Sequence, residues 1–141
     1  MRRIILICFL VLAILIAGCE KEIGLPDNQI AVDNTEFETV YTGSTNEGDV
    51  EISLKPISVK DGIVEMEIVA NTHSVELNQF DLKSVTVLEH GGKIIAPLEA
   101  PVLDGHHTSG KIVFEAGENI ENFVVKIRGI PKVEERVFEW G

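Results

Sequence analysis

The sequence contains little cysteine. Its 141 residues include two, Cys8 and Cys19, and both lie within the first 19 positions. The rest of the chain therefore has no pair of thiols for a disulfide, and a hydrophobic core has to stabilise it. A chain of about 100 residues can bury enough apolar surface to fold in this way.

Basic residues are also scarce. After position 18 the chain has 10 Lys and Arg against 23 Asp and Glu, a formal net charge of −13. Nucleic-acid binding of the usual kind needs a basic surface that neutralises phosphates, so this charge excludes it. The 123 residues after position 18 are also too few for a multidomain enzyme.

Long apolar runs are missing from the chain except at its N-terminus. There, Arg2 and Arg3 precede residues 4–17, an unbroken run of 14 apolar residues. A membrane-spanning helix requires about 20 apolar residues. The run is too short for that and is typical of the hydrophobic region of a secretory signal peptide.

The residues that follow this run resemble the lipobox of bacterial lipoproteins. Ile16, Ala17 and Gly18 place one aliphatic and two small residues before Cys19. The resemblance covers positions 1–19 and implies that the leader is cleaved before Cys19, which then carries a diacylglycerol and an N-acyl chain. Two or more acyl chains anchor a protein stably. The alternative is an ordinary secretory signal whose cleavage site precedes a cysteine.

Three segments are predicted: a cleaved signal peptide at 1–18, a lipidated tether at 19–35 and a β domain at 36–141. The tether is polar, with scattered Gly, Pro, Asp and Asn and no hydrophobic period, which is typical of a flexible linker. From position 36 onward, apolar residues recur with period two, which indicates half-buried strands.

The β domain is expected to contain seven or eight short strands and no helix of three turns. Polar turns rich in Gly, Asp and Asn separate the strands. This pattern favours an all-β fold, a single antiparallel β-sandwich of immunoglobulin-like type, with a small closed barrel as the alternative. The strands are expected at 36–41, 50–55, 63–70, 82–89, 93–96, 111–116, 123–128 and 137–140.

Strand parity predicts which loops meet. Successive loops of an antiparallel sandwich alternate between its two ends, so the two longest, 71–79 and 97–110, are expected at the same end. They contain His73, His106 and His107, whereas His90 is expected at the opposite end.

These histidines form a candidate metal site. Imidazole is the commonest metal ligand, and we expect Glu76 and Asp81 to join His73, His106 and His107. The lack of sulfur ligands disfavours Cu(I) and leaves Zn(II), Cu(II) or Ni(II). The alternative is a structural role in capped turns or solvated loops, because fixed spacings such as H-x-x-x-H are absent.

Catalysis is not expected. Asp104, His107 and Ser109 are the residue types of a serine hydrolase, but they lie in one six-residue stretch. The members of a catalytic triad converge from separate elements. The sequence also lacks G-x-S-x-G and a glycine-rich phosphate loop.

Four short motifs resemble a recurring, uncharacterised group of small exported prokaryotic proteins. The motifs are N-T-H-S-V-E-L at 71–77, F-D-L at 80–82, G-H-H-T-S-G at 105–110 and E-R-V-F-E-W at 135–140. The resemblance spans 50–140 and implies no assigned chemistry. It implies that the signature polar residues are His73, Asp81, His106 and His107.

These features together predict a lipid-anchored extracytoplasmic binding module, held at the cell membrane or outer membrane through Cys19. Its expected ligand is a divalent transition metal at the histidine-bearing loop end, and its other expected partner is an envelope protein. The alternative is an envelope structural or protein-interaction module that binds no metal.

Overall fold

The structure is a computed structural model that describes residues 37–141. The predicted signal peptide, lipobox and tether lie outside the described residues. The elements, in chain order, are β1 (Val40–Thr42), β2 (Glu51–Lys60), β3 (Ile63–Asn71), a 3-10 turn (Leu77–Gln79), α1 (Leu82–Val85), β4 (Thr86–His90), β5 (Lys93–Ile95), β6 (His107–Glu115), β7 (Phe123–Arg128) and β8 (Glu135–Trp140).

The strands form two four-stranded antiparallel sheets. The first sheet has the order β1-β2-β3-β6, and the second has the order β5-β4-β7-β8. The chain leaves the first sheet after β3, forms β4 and β5 in the second, returns for β6 and then completes the second sheet. This arrangement confirms the predicted all-β, antiparallel character.

Period-two patterning places the core between the sheets. In β3, Val64, Met66 and Ile68 are buried, while Glu65 and Glu67 point away from the core, because successive strand residues face opposite sides of a sheet. Each large apolar side chain buried in this way contributes roughly 1.5–3 kcal/mol. The shared core joins both sheets through residues such as Leu54, Phe114, Leu88, Val125 and Phe138.

The strand predicted over 82–89 is wrong in its first half. Residues 82–85 form α1, and β4 begins only at Thr86. The reason is Asp81, whose carboxylate accepts hydrogen bonds from the backbone N–H of Lys83 at 3.1 Å and from the hydroxyl of Ser84. An acidic N-cap of this kind stabilises a helical turn where the sequence also has strand propensity.

Two strands, β2 and β6, extend at least four residues beyond their predicted bounds. β2 continues to Lys60 through Pro56, with a register shift between Pro56 and Ser58. Proline is tolerated there because β1 pairs with residues 52–54, and no other strand among residues 37–141 pairs with that side of β2 at Pro56. β6 begins at His107, so this histidine belongs to a strand and not to the predicted loop.

A loop covers the outer edge of β6. Val113 donates a backbone hydrogen bond to the Glu99 carbonyl at 2.9 Å and accepts one from the Leu98 N–H at 2.8 Å. Pro101 lies against Gly110, where an added Cβ would come within 2.4 Å of the proline ring. Part of the β6 edge is thereby protected from pairing with another chain.

Candidate functional site

The two long loops lie at the same end of the sandwich, as strand parity predicts. The Thr72 N–H donates to the His106 carbonyl at 2.9 Å, and Asn71 pairs with His107 across β3 and β6. We call residues 71–79 with 104–108 the histidine end. His90 lies at the opposite end of the sheets, with its Nδ1 2.7 Å from the Asn122 carbonyl oxygen.

The loop that carries His73 is fixed by hydrogen bonds on both sides. The hydroxyl of the buried Thr72 donates to the Asp49 carbonyl at 2.7 Å and accepts from the Ser74 and Val75 N–H groups at 3.3 Å. The Gly48 N–H donates to the Ser74 hydroxyl at 2.7 Å. Thr72 therefore caps this turn, and His73 is exposed.

A buried arginine braces this region. The side chain of Arg136 is 0% exposed, and its guanidinium donates a hydrogen bond to the Asp49 Oδ1 at 3.2 Å. Burial lowers the pKa of Arg136, and the negative charge of Asp49 opposes that effect. Its guanidinium donates to the carbonyls of Val50, Ile130, Pro131 and Val133 at 2.8–3.1 Å.

Sequence reasoning did not identify Arg136 as a bracing residue. Alternation along β8 already placed Arg136 on the same side of the strand as Phe138 and Trp140, which are both buried. A charged residue at an inward-facing strand position was therefore the sequence signal that could have identified Arg136 as a buried residue with polar partners. The partner Asp49 is 87 positions away in the chain, and no local pattern connects the two.

Asp49 is the carboxylate that faces this guanidinium. Burial alone would raise its pKa, but hydrogen bonds from the Ser44 hydroxyl and the Val50 N–H, together with the charge of Arg136, lower the pKa below the ordinary 3.8. Asp49 is therefore ionised at neutral pH. Because the Asp49 carbonyl also accepts from Thr72, this network connects Arg136 to the histidine end.

His73 and His107 lie beside each other. Both are exposed, their ring centroids are 6.1 Å apart, and the rings make an angle of 77°. Two imidazoles that ligate one metal ion keep their centroids roughly 5–6 Å apart, since each metal–nitrogen bond is about 2 Å long. The centroid separation of His73 and His107 lies close to this range.

Asn71 orients the ring of His107. The His107 Nδ1 is 3.1 Å from the Asn71 Oδ1, and the Asn71 Nδ2 is 3.5 Å from the Glu51 Oε1. An amide oxygen only accepts hydrogen bonds, so the His107 Nδ1 is the donor in this contact, and in the neutral ring the lone pair then lies on Nε2. Histidines that bind metals commonly donate the other ring N–H to such an acceptor.

The predicted set of five ligands does not converge. His106 lies against Glu76, with 3.6 Å between Nε2 and Oε1, and Asp81 caps α1. Within residues 37–141, no group of three or more His, Cys, Asp or Glu side chains is placed to hold a metal ion. Of the five predicted residues, His73 and His107 are the two whose rings lie beside each other.

An open groove of about 810 Å³ lies at the opposite end. Its walls include the Gly91-Gly92 turn, Lys93 and Ile94, and the side chain of Ile94 is 72% exposed. Trp140 lines the groove but is only 9% exposed, and its Nε1 donates to the Glu38 carbonyl at 2.9 Å. Sequence reasoning missed this groove, because it requires the pairing of β4, β5, β7 and β8.

Comparison of the chain with protein-family models, curated proteins and solved structures finds no match. Among the described residues, no helix has the length and hydrophobicity needed to cross a membrane. Function is therefore inferred from the chain's own geometry.

Proposed function

We propose that this protein is a lipid-anchored extracytoplasmic binding module that binds a divalent transition metal through His73 and His107. The observation that carries the proposal is the 6.1 Å separation of two exposed imidazoles, one of which is oriented by Asn71. Neutral imidazoles suit Zn(II), Cu(II) and Ni(II). Exposure on the surface lets an ion reach both rings directly from solvent.

The backbone segments that carry His73 and His107 are held in place by hydrogen bonds, which supports this proposal. A binding site gains affinity when the elements that carry its ligands are already held in place. His107 begins β6, and His73 follows Thr72, which is held by hydrogen bonds to the Asp49 and His106 segments. Little conformational freedom is therefore lost in the backbone when an ion binds.

We also propose that the sandwich is immunoglobulin-like. β7 pairs with both β4 and β8, as the central F strand of an immunoglobulin domain pairs with C and G. The loops at one end of immunoglobulin variable domains form a binding surface, which is an analogy at the level of the fold only.

The anchor is proposed from the resemblance at 1–19. We expect the full chain to incorporate labelled fatty acid and to fractionate with membranes, and a Cys19→Ser variant to remain unprocessed and unlabelled. If Cys19→Ser is cleaved and still partitions into membranes, the lipoprotein proposal is wrong.

Calorimetric titration of the full chain in detergent with Zn(II) and Cu(II) tests metal binding. We expect one ion per chain, and at least about tenfold weaker binding in His73→Ala and in His107→Ala, a loss of about 1.4 kcal/mol or more. His90→Ala, at the opposite end of the sheets, is the matched control and should bind like the unaltered chain. Unchanged binding in the His73→Ala/His107→Ala double variant would refute the proposal.

The second candidate function is an envelope protein-interaction module without metal. The observation that favours it is the groove at the opposite end, beside the 72%-exposed side chain of Ile94. Exposed apolar surface next to a concavity is typical of interaction sites. A photo-crosslinking residue at position 94 that captures one envelope protein, with a flat metal titration, would replace the metal proposal with this one.

A further inference from the structure

We propose that residues 97–103 are an autoinhibitory strap. The strap occupies the place of a fifth strand in the first sheet and prevents β6 from pairing with β6 of a second copy of this chain. Displacing the strap opens an interface between two copies. Self-association of this kind is independent of metal binding at the histidine end.

The strap runs antiparallel to β6 along the outer side of that strand. Glu99 forms an antiparallel bridge with Val113. Two residues further on, Pro101 lies against Gly110, where an added Cβ would come within 2.4 Å of the proline ring. The strap therefore ascends in residue number while its neighbours in β6 descend, which is the path of an added antiparallel edge strand.

The backbone contact between the strap and β6 is confined to one residue of the strand. Val113 donates to the Glu99 carbonyl at 2.9 Å and accepts from the Leu98 N–H at 2.8 Å. Among residues 37–141, every backbone hydrogen bond between the strap and β6 involves Val113. Pro101 cannot extend this pairing as a donor, because proline has no N–H.

The edge beneath the strap keeps backbone groups that another strand could use. β6 has nine residues and is the longest of the four strands that lie at sheet edges in residues 37–141. Alternate residues of an antiparallel strand direct their N–H and C=O groups to the same side, so Ser109 and Lys111 present theirs on the same side as Val113. Among the described residues, no strand pairs with that side of β6. Such an edge is a template for another chain once the strap is displaced.

A second copy of the chain is the occupant that this edge fits, because two identical edges can pair about a twofold axis. With Gly110 at the axis, Ser109 of one copy lies opposite Lys111 of the other. His107 likewise lies opposite Val113, so no like charges face each other across the two strands. An axis at Lys111 would instead set two lysines against each other, which is destabilising in a sheet.

The experiment displaces the strap with Gly110→Ala, whose new Cβ overlaps the Pro101 ring. Sedimentation velocity is measured on the full chain in detergent, with micelles in excess, over a range of protein concentrations. We expect the unaltered chain to stay monomeric and Gly110→Ala to shift from monomer to dimer as concentration rises. At low concentration, hydrogen exchange at the Val113 amide of this variant should be at least about tenfold faster, a loss of about 1.4 kcal/mol. At high concentration, the Ser109 and Lys111 amides should become protected.

Three further variants separate displacement of the strap from a general loss of stability. Leu98→Pro removes the N–H that binds the Val113 carbonyl, leaves the sequence of β6 unchanged and should also dimerise. Ile127→Val removes one buried methylene group from β7 and should stay monomeric. Adding Ser109→Pro to Gly110→Ala removes an outward N–H from the edge, where proline is tolerated, and should restore the monomer.

The outcomes are distinct. Dimerisation of Gly110→Ala and Leu98→Pro that Ser109→Pro abolishes supports the strap. If both variants stay monomeric while the Val113 amide exchanges faster, the edge is open without pairing and the proposal is overturned. Unchanged exchange at Val113 in both variants also overturns it, because the strap is then not held by these contacts. Equal dimerisation of the Ser109→Pro double variant, or dimerisation of Ile127→Val, places the association elsewhere and is likewise fatal to it.

Discussion

At position 136 a charged side chain occupies a place in the core that an apolar residue would ordinarily fill. The cost of removing a guanidinium from water is large, and it is offset here by four carbonyl acceptors and the ionised Asp49. The five acceptors belong to two separate loops, 49–50 and 130–133. Arg136 therefore holds together segments that have no regular secondary structure of their own.

Replacement of Arg136 by methionine is expected to destabilise the fold by about 3–5 kcal/mol, the usual cost of removing one partner of a buried ion pair. The reason is that Asp49 and the four carbonyls lose their donor. Arg128→Met is the matched control, because Arg128 pairs with Glu135 on the surface of the same sheet. Exposed pairs contribute roughly 0–1 kcal/mol. Urea unfolding measures both, and equal losses in the two variants would contradict this assignment.

The lowered pKa of Asp49 predicts a pH dependence. A carboxylate whose pKa is lower in the folded than in the unfolded state stabilises the fold above the unfolded value, and this contribution is lost as pH falls through the folded value. The stability difference between the unaltered chain and Asp49→Asn should therefore be constant at neutral pH and shrink below about pH 3.8. Urea unfolding across pH 7 to pH 2.5 checks this, and a gap that stays constant would show that the charge of Asp49 is not involved.

At the scale of elements, the outer edge of β6 shows how the sequence of a strand and the path of a loop depend on each other. Gly110 sits in the strand opposite Ile68, at an inward position where a side chain would normally enter the core. Pro101 occupies that space instead, and Glu99 pairs with Val113 beside it. The small residue in the strand allows the loop to close the edge.

Gly110→Ala is expected to displace the loop 97–103. The new Cβ would lie 2.4 Å from the Pro101 ring, and relieving such an overlap typically costs about 1–3 kcal/mol. Thermal unfolding should show this loss, and hydrogen exchange at the Val113 amide should become faster. The neighbouring Ser109→Ala is the control, since an exposed change of this kind usually alters stability by about 0.5 kcal/mol or less. If both variants behave alike, the proline contact does not hold the loop.

At the scale of the whole molecule, both sheets depend on one core. Side chains from the first and second sheets belong to the same buried cluster, and the described residues contain no cysteine that could cross-link them. Neither sheet can keep its inner face buried without the other. The two sheets are therefore expected to form and unfold together.

Calorimetry is expected to show one cooperative unfolding transition for the β domain, with an enthalpy of about 60–80 kcal/mol at its midpoint for about 100 residues. The midpoint should be the same with and without a thiol reductant. Two resolved transitions would contradict a shared core, and a midpoint lowered by reductant would contradict stabilisation by packing alone.

The all-β character, the period-two core and the meeting of loops 71–79 and 97–110 could all be predicted from the sequence. Each follows from local rules, because strand geometry fixes which side of a sheet a residue faces and antiparallel strands alternate their ends. The N-cap at Asp81 is local too, but it competes with a strand-like sequence, and that competition led to the wrong prediction for residues 82–85.

Contacts between side chains were decided only by the tertiary structure. The sequence places His73, His106, His107, Glu76 and Asp81 near one end, but it does not specify the β3–β6 register that puts His107 beside Asn71. That register and the loop paths separate the predicted ligands into the His73–His107 pair, the His106–Glu76 contact and a helix cap. The same reason applies to Arg136, whose partner Asp49 comes within reach only when the two sheets pack together.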